Sequence, residues 1–591
     1  MPEKIVQIKS LPGIKRDGTK FEGDNYVDGQ WVRFQRNLPR KIGGYRSINK
    51  FLRGKSTALN EFTQNALTYI HSGSSRYVER FYIDGSGNTS VITDRTPTSG
   101  FTASDQNMWQ FDIDSKLSGG VATNLLIAQV APNLGCICNS DGGELFYGDL
   151  LDTAPLVPLT NTPTGFNSTG GVVALHPYTF AFGTDGYIAW SVPGDPTDFT
   201  GTGSGAVNAA AQKIVRGISL RGGPGNSPSG LFWAADALIR AAYIGGDPVF
   251  QFDTLSTQTS ILSARSVIEY DGVFFWCGVD RFLSYNGVVR EVPNNMNTNY
   301  FFDNLNYAYR QKVFATKVPR FGEIWWCYPR GQATECTHAV IYNVREDTWY
   351  DTELPNGGRS AGLFPAVYRR PLMTGVEPQP AQAYDVAIAS GGTGYSAGDV
   401  LTVEGGEFSI PTELTVVSVT GGGIIDEVAI SNAGSYTLPP TNPVSVNTGA
   451  ATFTITFVNP YKFWVHEQGK DEVDGQNMYP IQSYFETADL SLPVQQQVNN
   501  AIQVLMLEPD FVQSGDLTVQ IKGRANARSP EVDGVVMVIP EVPQTPQEQV
   551  VHFKTQRREL RFRFESNVLG GDYQMGLVLA HIQPGDGTTV G

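Results

Sequence analysis

The chain has 591 residues, with 43 Lys and Arg against 58 Asp and Glu, and a formal net charge of −15. Glycine (64) and proline (35) together make about 17% of it, while only 17% is charged and 11% aromatic, the composition of an ordered, turn-rich β protein of several domains. Bulk attraction to nucleic acid or to an anionic membrane is excluded by that charge, and five cysteines in so long a chain exclude a disulfide framework and fit a reducing compartment.

The opening Met1-Pro-Glu-Lys-Ile-Val-Gln-Ile-Lys has no apolar core of a leader, and no run of 18 apolar residues occurs, so neither a signal peptide nor a membrane span is expected. Residues 1–50 read as an extended N-terminal arm. Arg33, Arg36, Arg40, Lys41 and Arg46 alternate there with Trp31, Phe34 and Tyr45. Such interleaving suits a nucleic-acid patch, but Pro39, Gly43 and Gly44 in the same stretch favour an arm pinned to a neighbouring subunit or domain. Gly54-Lys55-Ser56 resembles the tail of a phosphate-binding loop, yet Asn49 stands where the motif needs its first glycine.

From residue 51 onward, short apolar runs such as Tyr178–Phe182, Val273–Trp276 and Glu323–Cys327 are bounded by Gly, Asp, Asn and Pro, the pattern of strands and tight turns. A repeat runs through them. Gly183-Thr-Asp185-Gly-Tyr187-Ile188-Ala-Trp190-Ser191 matches Gly278-Val-Asp280-Arg-Phe282-Leu283-Ser-Tyr285-Asn286 in residue type at each position, with weaker copies around Asp141 and Asp236. The aspartates are spaced 44, 51 and 44 residues apart, the length of a four-stranded propeller blade. Each is read as a hairpin residue capping its own turn rather than as a calcium ligand. Val340–Trp349 has the form of an outer-strand hairpin. Residues 51–383 are therefore expected to form a β-propeller of six or seven blades, resumed at 458–475.

Residues 384–457 are rich in Gly, Thr, Val and Ser, almost lack basic residues, and echo themselves, with Val386-Ala-Ile388 before Tyr395 and Val428-Ala-Ile430 before Tyr436. They read as a small β module inserted through a blade loop, because loop closure entropy grows only logarithmically with length. In residues 476–591, Leu560, Phe562 and Phe564 alternate with Arg561, Arg563 and Glu565, one face apolar and the other polar, which predicts a C-terminal β-sandwich or platform domain. Arg557, Arg558, Arg561 and Arg563 are read as intersubunit ion-pair residues. The predicted class is all-β.

No chemical motif is complete. Cys136-x-Cys138 and Cys336-x-His338 each offer two ligands where structural zinc needs four, and His466-Glu467 lacks the second histidine of a zinc-protease helix. Glu486 with Asp489 and Glu508 with Asp510 are carboxylate pairs of the sort an acidic surface supplies anyway. No metal, cofactor or catalytic residue is assigned, and the chain is read as a non-enzyme.

Leu11-Pro-Gly-Ile-Lys-Arg-Asp-Gly-Thr19, Tyr26-Val-Asp-Gly-Gln-Trp-Val-Arg-Phe34 and Pro39-Arg-Lys-Ile-Gly-Gly-Tyr45 resemble the N-terminus of the tail nozzle (tail hub, tail tubular or packaged-DNA stabilisation) proteins of short-tailed bacteriophages. Trp464-Val-His-Glu-Gln-Gly469, Tyr479-Pro-Ile-Gln-Ser-Tyr-Phe-Glu-Thr487, Arg557-Arg-Glu-Leu-Arg-Phe-Arg563 and Gly585-Asp-Gly587 are similar to later segments of that family. The inserted module resembles a glycine- and tyrosine-rich β domain of phage structural proteins. The resemblance implies a virion location in the tail after assembly in the host cytoplasm. It implies a homo-hexamer below the portal-adaptor (head-to-tail connector) ring, contacts with tail fibre, tailspike or needle proteins, and a channel for the departing genome.

Under that implication an acidic ring passes duplex DNA without binding it, and retention rests on constricting loops. The loops around Gly201, Gly203 and Gly205 and around Gly222, Gly223 and Gly225 are the expected gates, with Arg33, Arg36, Arg40, Lys41, Arg557, Arg558, Arg561 and Arg563 at subunit interfaces. Two readings compete: a carbohydrate-binding or carbohydrate-cleaving propeller of a tail, and an intracellular propeller scaffold.

Overall fold

The computed structural model describes residues 4–19, 23–101, 108–118, 121–130, 144–220, 227–490, 501–525 and 528–585. Short alternating runs between turn residues give four-stranded antiparallel sheets, one after another. The first three hold Ser56–Gln64 to Thr93–Asp94, Trp109–Ser118 to Val157–Pro158, and Gly171–Leu175 to Gly205–Asn208. The next three hold Ile214–Ser219 to Phe250–Ser256, Ile268–Tyr270 to Val289–Glu291, and Phe314–Val318 to Thr348–Glu353. A seventh begins with Arg359–Leu363, Leu372–Pro378 and Tyr461–His466.

Each sheet's first strand lies innermost. These strands touch their neighbours around a ring, the first sheet's meeting both the second's and the seventh's. Between the fourth and fifth sheets the ring is carried by a shared apolar cluster that includes Trp233 and Trp276. The architecture is a seven-bladed β-propeller.

The fourth strand of the seventh blade is Tyr45–Leu52, paired antiparallel with Tyr461–His466. Residues 45–52, read from sequence as the end of the arm and the start of the first blade, are instead the strand that closes the ring. Leu52 packs with Phe81, Phe463 and Val465 at the seam between the seventh blade and the first, where the Phe81 and Phe463 rings meet edge to face at 5.2 Å. Two short strands, Glu472–Asp474 and Asn477–Tyr479, extend this sheet outward.

The sequence repeat marks one position in the blades. Tyr187–Trp190, Leu238–Tyr243 and Phe282–Tyr285 are all third strands, and the turn before each is closed by a backbone bond: Gly183 N to Tyr187 O, Ala234 N to Ala237 O, and Gly278 N to Arg281 O. The expected aspartate cap differs. Asp185 contributes a left-handed backbone (φ 56°), while the Asp280 carboxylate pairs with Arg281. Asp141 lies outside the described residues.

The inserted module lies between the second and third strands of the seventh blade, and its two ends meet where Gln379 N donates to Pro460 O at 2.7 Å. Its own core holds Tyr395, Leu414 and Phe453. The two echoed tyrosines are buried alike. Tyr395 Oη donates to Thr448 O and accepts from Ala451 N, and Tyr436 Oη accepts from Thr412 N.

The C-terminal region forms three sheets, each completed by the arm. Lys4–Ile8 pairs with Val578–Pro584, Asp28–Gln30 with Ser483–Glu486, and Leu38–Lys41 lies beside Asp572–Met575. Leu560, Phe562 and Phe564 face the core as the alternation requires. One continuous core joins Trp31 and Phe34 of the arm, Trp325 and Tyr350 of the sixth blade, and Phe485 and Phe562 of the sandwich. Propeller and sandwich are thus welded through the arm.

Candidate functional site

Among the described residues, buried polar side chains gather notably at one end of the propeller axis and at the weld between arm, blades and sandwich. At the axis, Arg265 precedes the fifth blade's innermost strand. Its guanidinium donates to Lys312 O at 2.9 Å, to Ser360 O at 3.1 Å and to Thr57 O, which belong to the approaches and first strands of the sixth, seventh and first blades. Gln110 Nε2, in the second blade, donates to Gly170 O at 2.6 Å and Val215 O at 3.2 Å, at the starts of the third and fourth. Arg265 therefore bridges the starting ends of four innermost strands and Gln110 those of the other three. Burial lowers Arg265 to about 10, opposed by Cys336, Glu335 and Cys327, so it stays charged at neutral pH against carbonyl dipoles.

The weld is built around Arg33. Its Nε meets Glu323 at 2.8 Å and its Nη1 meets Glu467 at 3.0 Å, with the guanidinium 3.7 Å from the centre of the Phe321 ring. Glu323 also accepts from Tyr350 Oη at 2.7 Å and Trp325 Nε1 at 2.9 Å. Burial raises the Glu323 carboxyl, as does Glu467, and Arg33 opposes them. Nearby, Trp31 Nε1 donates to Gly43 O, and Ser483 Oγ donates to Trp31 O. Arg359 Nε donates to His466 Nε2 at 3.1 Å, which requires a neutral imidazole, and burial together with Arg359 holds the His466 pKa well below the usual range.

The sequence-predicted interface residues divide. Arg33, Lys41 and Arg561 are buried within this one chain, which corrects their reading as intersubunit residues. Lys41 Nζ donates to Gly571 O at 2.7 Å and burial lowers it to about 8, opposed by Asp471 and Asp572. Arg561 sits among Glu486, Asp489 and Glu531. Arg40 bonds Gln35, Arg557 is half-buried, and Arg563 pairs with Glu565 over the Tyr484 ring. Arg36 and Arg558 are exposed.

The first expected gate loop is tied down. Asp198 Oδ1 accepts from Thr200 N and Gly201 N, Ser204 Oγ donates to Gly201 O at 2.7 Å, and Trp190 Nε1 donates to Gly203 O at 3.1 Å. A Cβ on Gly205 would stand 2.4 Å from the Trp190 ring, so the glycine is there for packing. This loop joins the two outer strands of the third blade, and these bonds correct the reading of Gly201, Gly203 and Gly205 as flexible. Gly222, Gly223 and Gly225 lie outside the described residues, as do Cys136 and Cys138.

The remaining motifs have structural partners. Lys55 pairs with Glu335, Cys336 and Cys327 are buried thiols, and Glu508 pairs with His581 at 2.7 Å. Among the described residues no three His, Cys, Asp or Glu side chains gather to hold a metal, and no helix is long and apolar enough to cross a membrane. Sequence reasoning missed Arg265 and Gln110, whose neighbours in the chain give no signal. It missed Glu323 as well, although a carboxylate opening the buried run Glu323-Ile-Trp-Trp-Cys327 is a signal that a cation must meet it.

No family model matches the chain, and no curated protein matches it. Among solved structures, a computationally designed protein, Ika8, is 13% identical, covering 62% of this chain and 96% of its own with a TM-score of 0.32. A putative 6-phosphogluconolactonase from Bacteroides uniformis ATCC 8492 is 12% identical over 67% of this chain and 100% of its own, TM-score 0.35. The WD40 β-propeller domain of Doa1 is 11% identical over 56% and 93%, TM-score 0.34.

Proposed function

We propose that this chain is a structural subunit of a bacteriophage tail, one copy of a ring, hexameric by resemblance, that retains packaged DNA and conducts it during ejection. One observation carries the reading. The segments that resemble nozzle proteins, 11–19, 26–34, 39–45, 464–469, 479–487 and 557–563, are far apart in sequence, and most of them converge on the weld around Trp31, Arg33 and the Glu467 turn. A welded propeller and sandwich moves as one block, the unit a ring needs if it opens by shifts between subunits.

The duplex path in this reading runs between subunits. An opening bridged by one guanidinium is far narrower than a duplex whose major groove alone is about 12 Å wide. Net charge −15 favours a non-adhesive wall, and residues 384–457 add seven carboxylates without one Lys or Arg. The adaptor and the fibre, tailspike or needle proteins are the partners proposed for its ends, with the exposed Arg36 and Arg558 available to them.

The test is imaging of virion tails together with mass identification of this chain in them, and duplex DNA titration of the purified protein at physiological salt. A ring in the tail and no DNA retention tighter than about 10⁻⁴ M, the weak end of non-specific binding, are expected. A chain absent from virions, or one that turns over capsular or cell-wall glycan, overturns the reading.

A further inference from the structure

The strand Val532–Ile539 is the edge of the five-stranded sandwich sheet, paired among the described residues only with Leu517–Arg524. It runs Val-Asp-Gly-Val-Val-Met-Val-Ile, with no lysine and no proline to guard the edge. Val535 is 75% exposed, Val536 53% and Val538 55%, apolar side chains along an outer edge to which no further strand among the described residues is paired, though Gly534 O and Ile539 O accept from the Gln520 and Gln513 amides. Pro530 and Pro540 bound it, and the acidic Asp533 and Glu541 near its ends are both exposed, Asp533 with Lys522 Nζ of its own chain 3.8 Å away.

A complementary edge exists elsewhere on the chain. Lys4–Ile8 is the outer strand of the four-stranded sheet, paired among the described residues only with Val578–Pro584. Its Ile5 is 60% exposed, and the charges at its ends, Lys4 and Lys9, are basic and exposed. The other edge of that sheet, Val551–Arg557, already lies against Val532–Ile539 within the chain.

We propose that Val532–Ile539 of one copy adds, strand to strand, to Lys4–Ile8 of a second copy. Backbone bonds would supply the affinity, with the exposed valines packing against Ile5 and the basic strand facing the acidic one. Pairing of Val532–Ile539 with itself is disfavoured. An antiparallel two-fold brings the Glu541 end of each strand to the Asp533 end of the other, acid against acid. The contact is therefore heterologous, and heterologous contacts close into rings or run into filaments. The inference deepens the ring reading above but concerns only which surfaces meet.

The experiment uses the full chain with Cys136→Ser and Cys138→Ser, carrying Val535→Cys in one preparation and Ile5→Cys in another, treated with a short bismaleimide linker. Cross-linked dimers are expected when the two are mixed and not in either alone, and Val536→Lys with Val538→Lys should shift the assembly to monomer by mass measurement. Cross-linking of Val535→Cys to itself, or a monomer at the highest attainable concentration, overturns the proposal. A ring seen in tails without the mixed cross-link also overturns it while leaving the nozzle reading intact. The mixed cross-link with no chain in virions does the reverse.

Discussion

Arg33 and Glu323 are 290 residues apart in the chain and 2.8 Å apart in space, the first in the arm and the second opening a buried strand of the sixth blade. Replacing Arg33 by Met leaves the Glu323 and Glu467 carboxylates facing each other without a cation, and should cost about 3–5 kcal/mol in urea unfolding. Arg33→Lys should recover little of this, because a point charge cannot serve two carboxylates as a planar fork does. Full stability in Arg33→Met would show that the weld does not depend on this pair.

Arg265 holds carbonyls of three other blades, so Arg265→Met strands Thr57 O and Ser360 O at the axis. A loss of about 2–5 kcal/mol is expected, with faster amide exchange at the starts of the seventh and first blades. Unchanged exchange there would mean that the lacing is incidental.

Leu52 is buried at the closing seam. Leu52→Ala should cost about 2–5 kcal/mol through the cavity it leaves. Ile424→Ala, on an exposed position of the inserted module, should fall within about 0.5 kcal/mol of the parent. Equal effects would contradict the closure by Tyr45–Leu52.

Burial raises Asp489 to about 7, opposed by Arg561, and its Oδ2 has no hydrogen-bond partner. The folded state therefore binds a proton more readily than the unfolded one between about pH 4 and 7, and this group's contribution to stability falls as pH rises through that window. Asp489→Asn removes the titration. Its stability relative to the parent should rise from about pH 4 to 7, by up to about 4 kcal/mol at 1.36 per unit, and stay level above. A difference independent of pH would show that Asp489 is ionised throughout.

The Arg53 guanidinium lies 4.1 Å from the ring centre of Tyr77 in the first blade and 4.2 Å from that of Tyr384 in the inserted module. Tyr384→Ala should weaken this link by about 0.5–2 kcal/mol and speed protease cleavage near Gln379 and Asn459, with the propeller melting unchanged. Slower cleavage would sink the assignment of Arg53 as the module's tether.

Much of the fold was legible because its signals are local. The Gly183–Ser191 and Gly278–Asn286 phrases are hairpin turns, whose chemistry is settled within a few residues, and their spacing set the blade length. The Leu560, Phe562, Phe564 alternation placed a core face by period two alone, and the low-charge stretch after residue 383 showed its foreign composition directly. The clusters of Arg and Lys misled for the converse reason: in sequence a buried cation and an exposed one look the same. Arg33, Lys41 and Arg561 found their partners at Glu323, Gly571 and Glu531, hundreds of residues away in the first two cases.

By itself, then, the chain determined its strands, its turns and the repeating unit, since these depend on neighbours a few positions apart. Only the tertiary structure decided that Tyr45–Leu52 completes the seventh blade, that Arg265 and Gln110 lace the axis, and that the arm welds propeller to sandwich. Ring closure and charge burial are agreements between distant segments, and no local pattern encodes which of many compatible partners a strand edge or a guanidinium will meet.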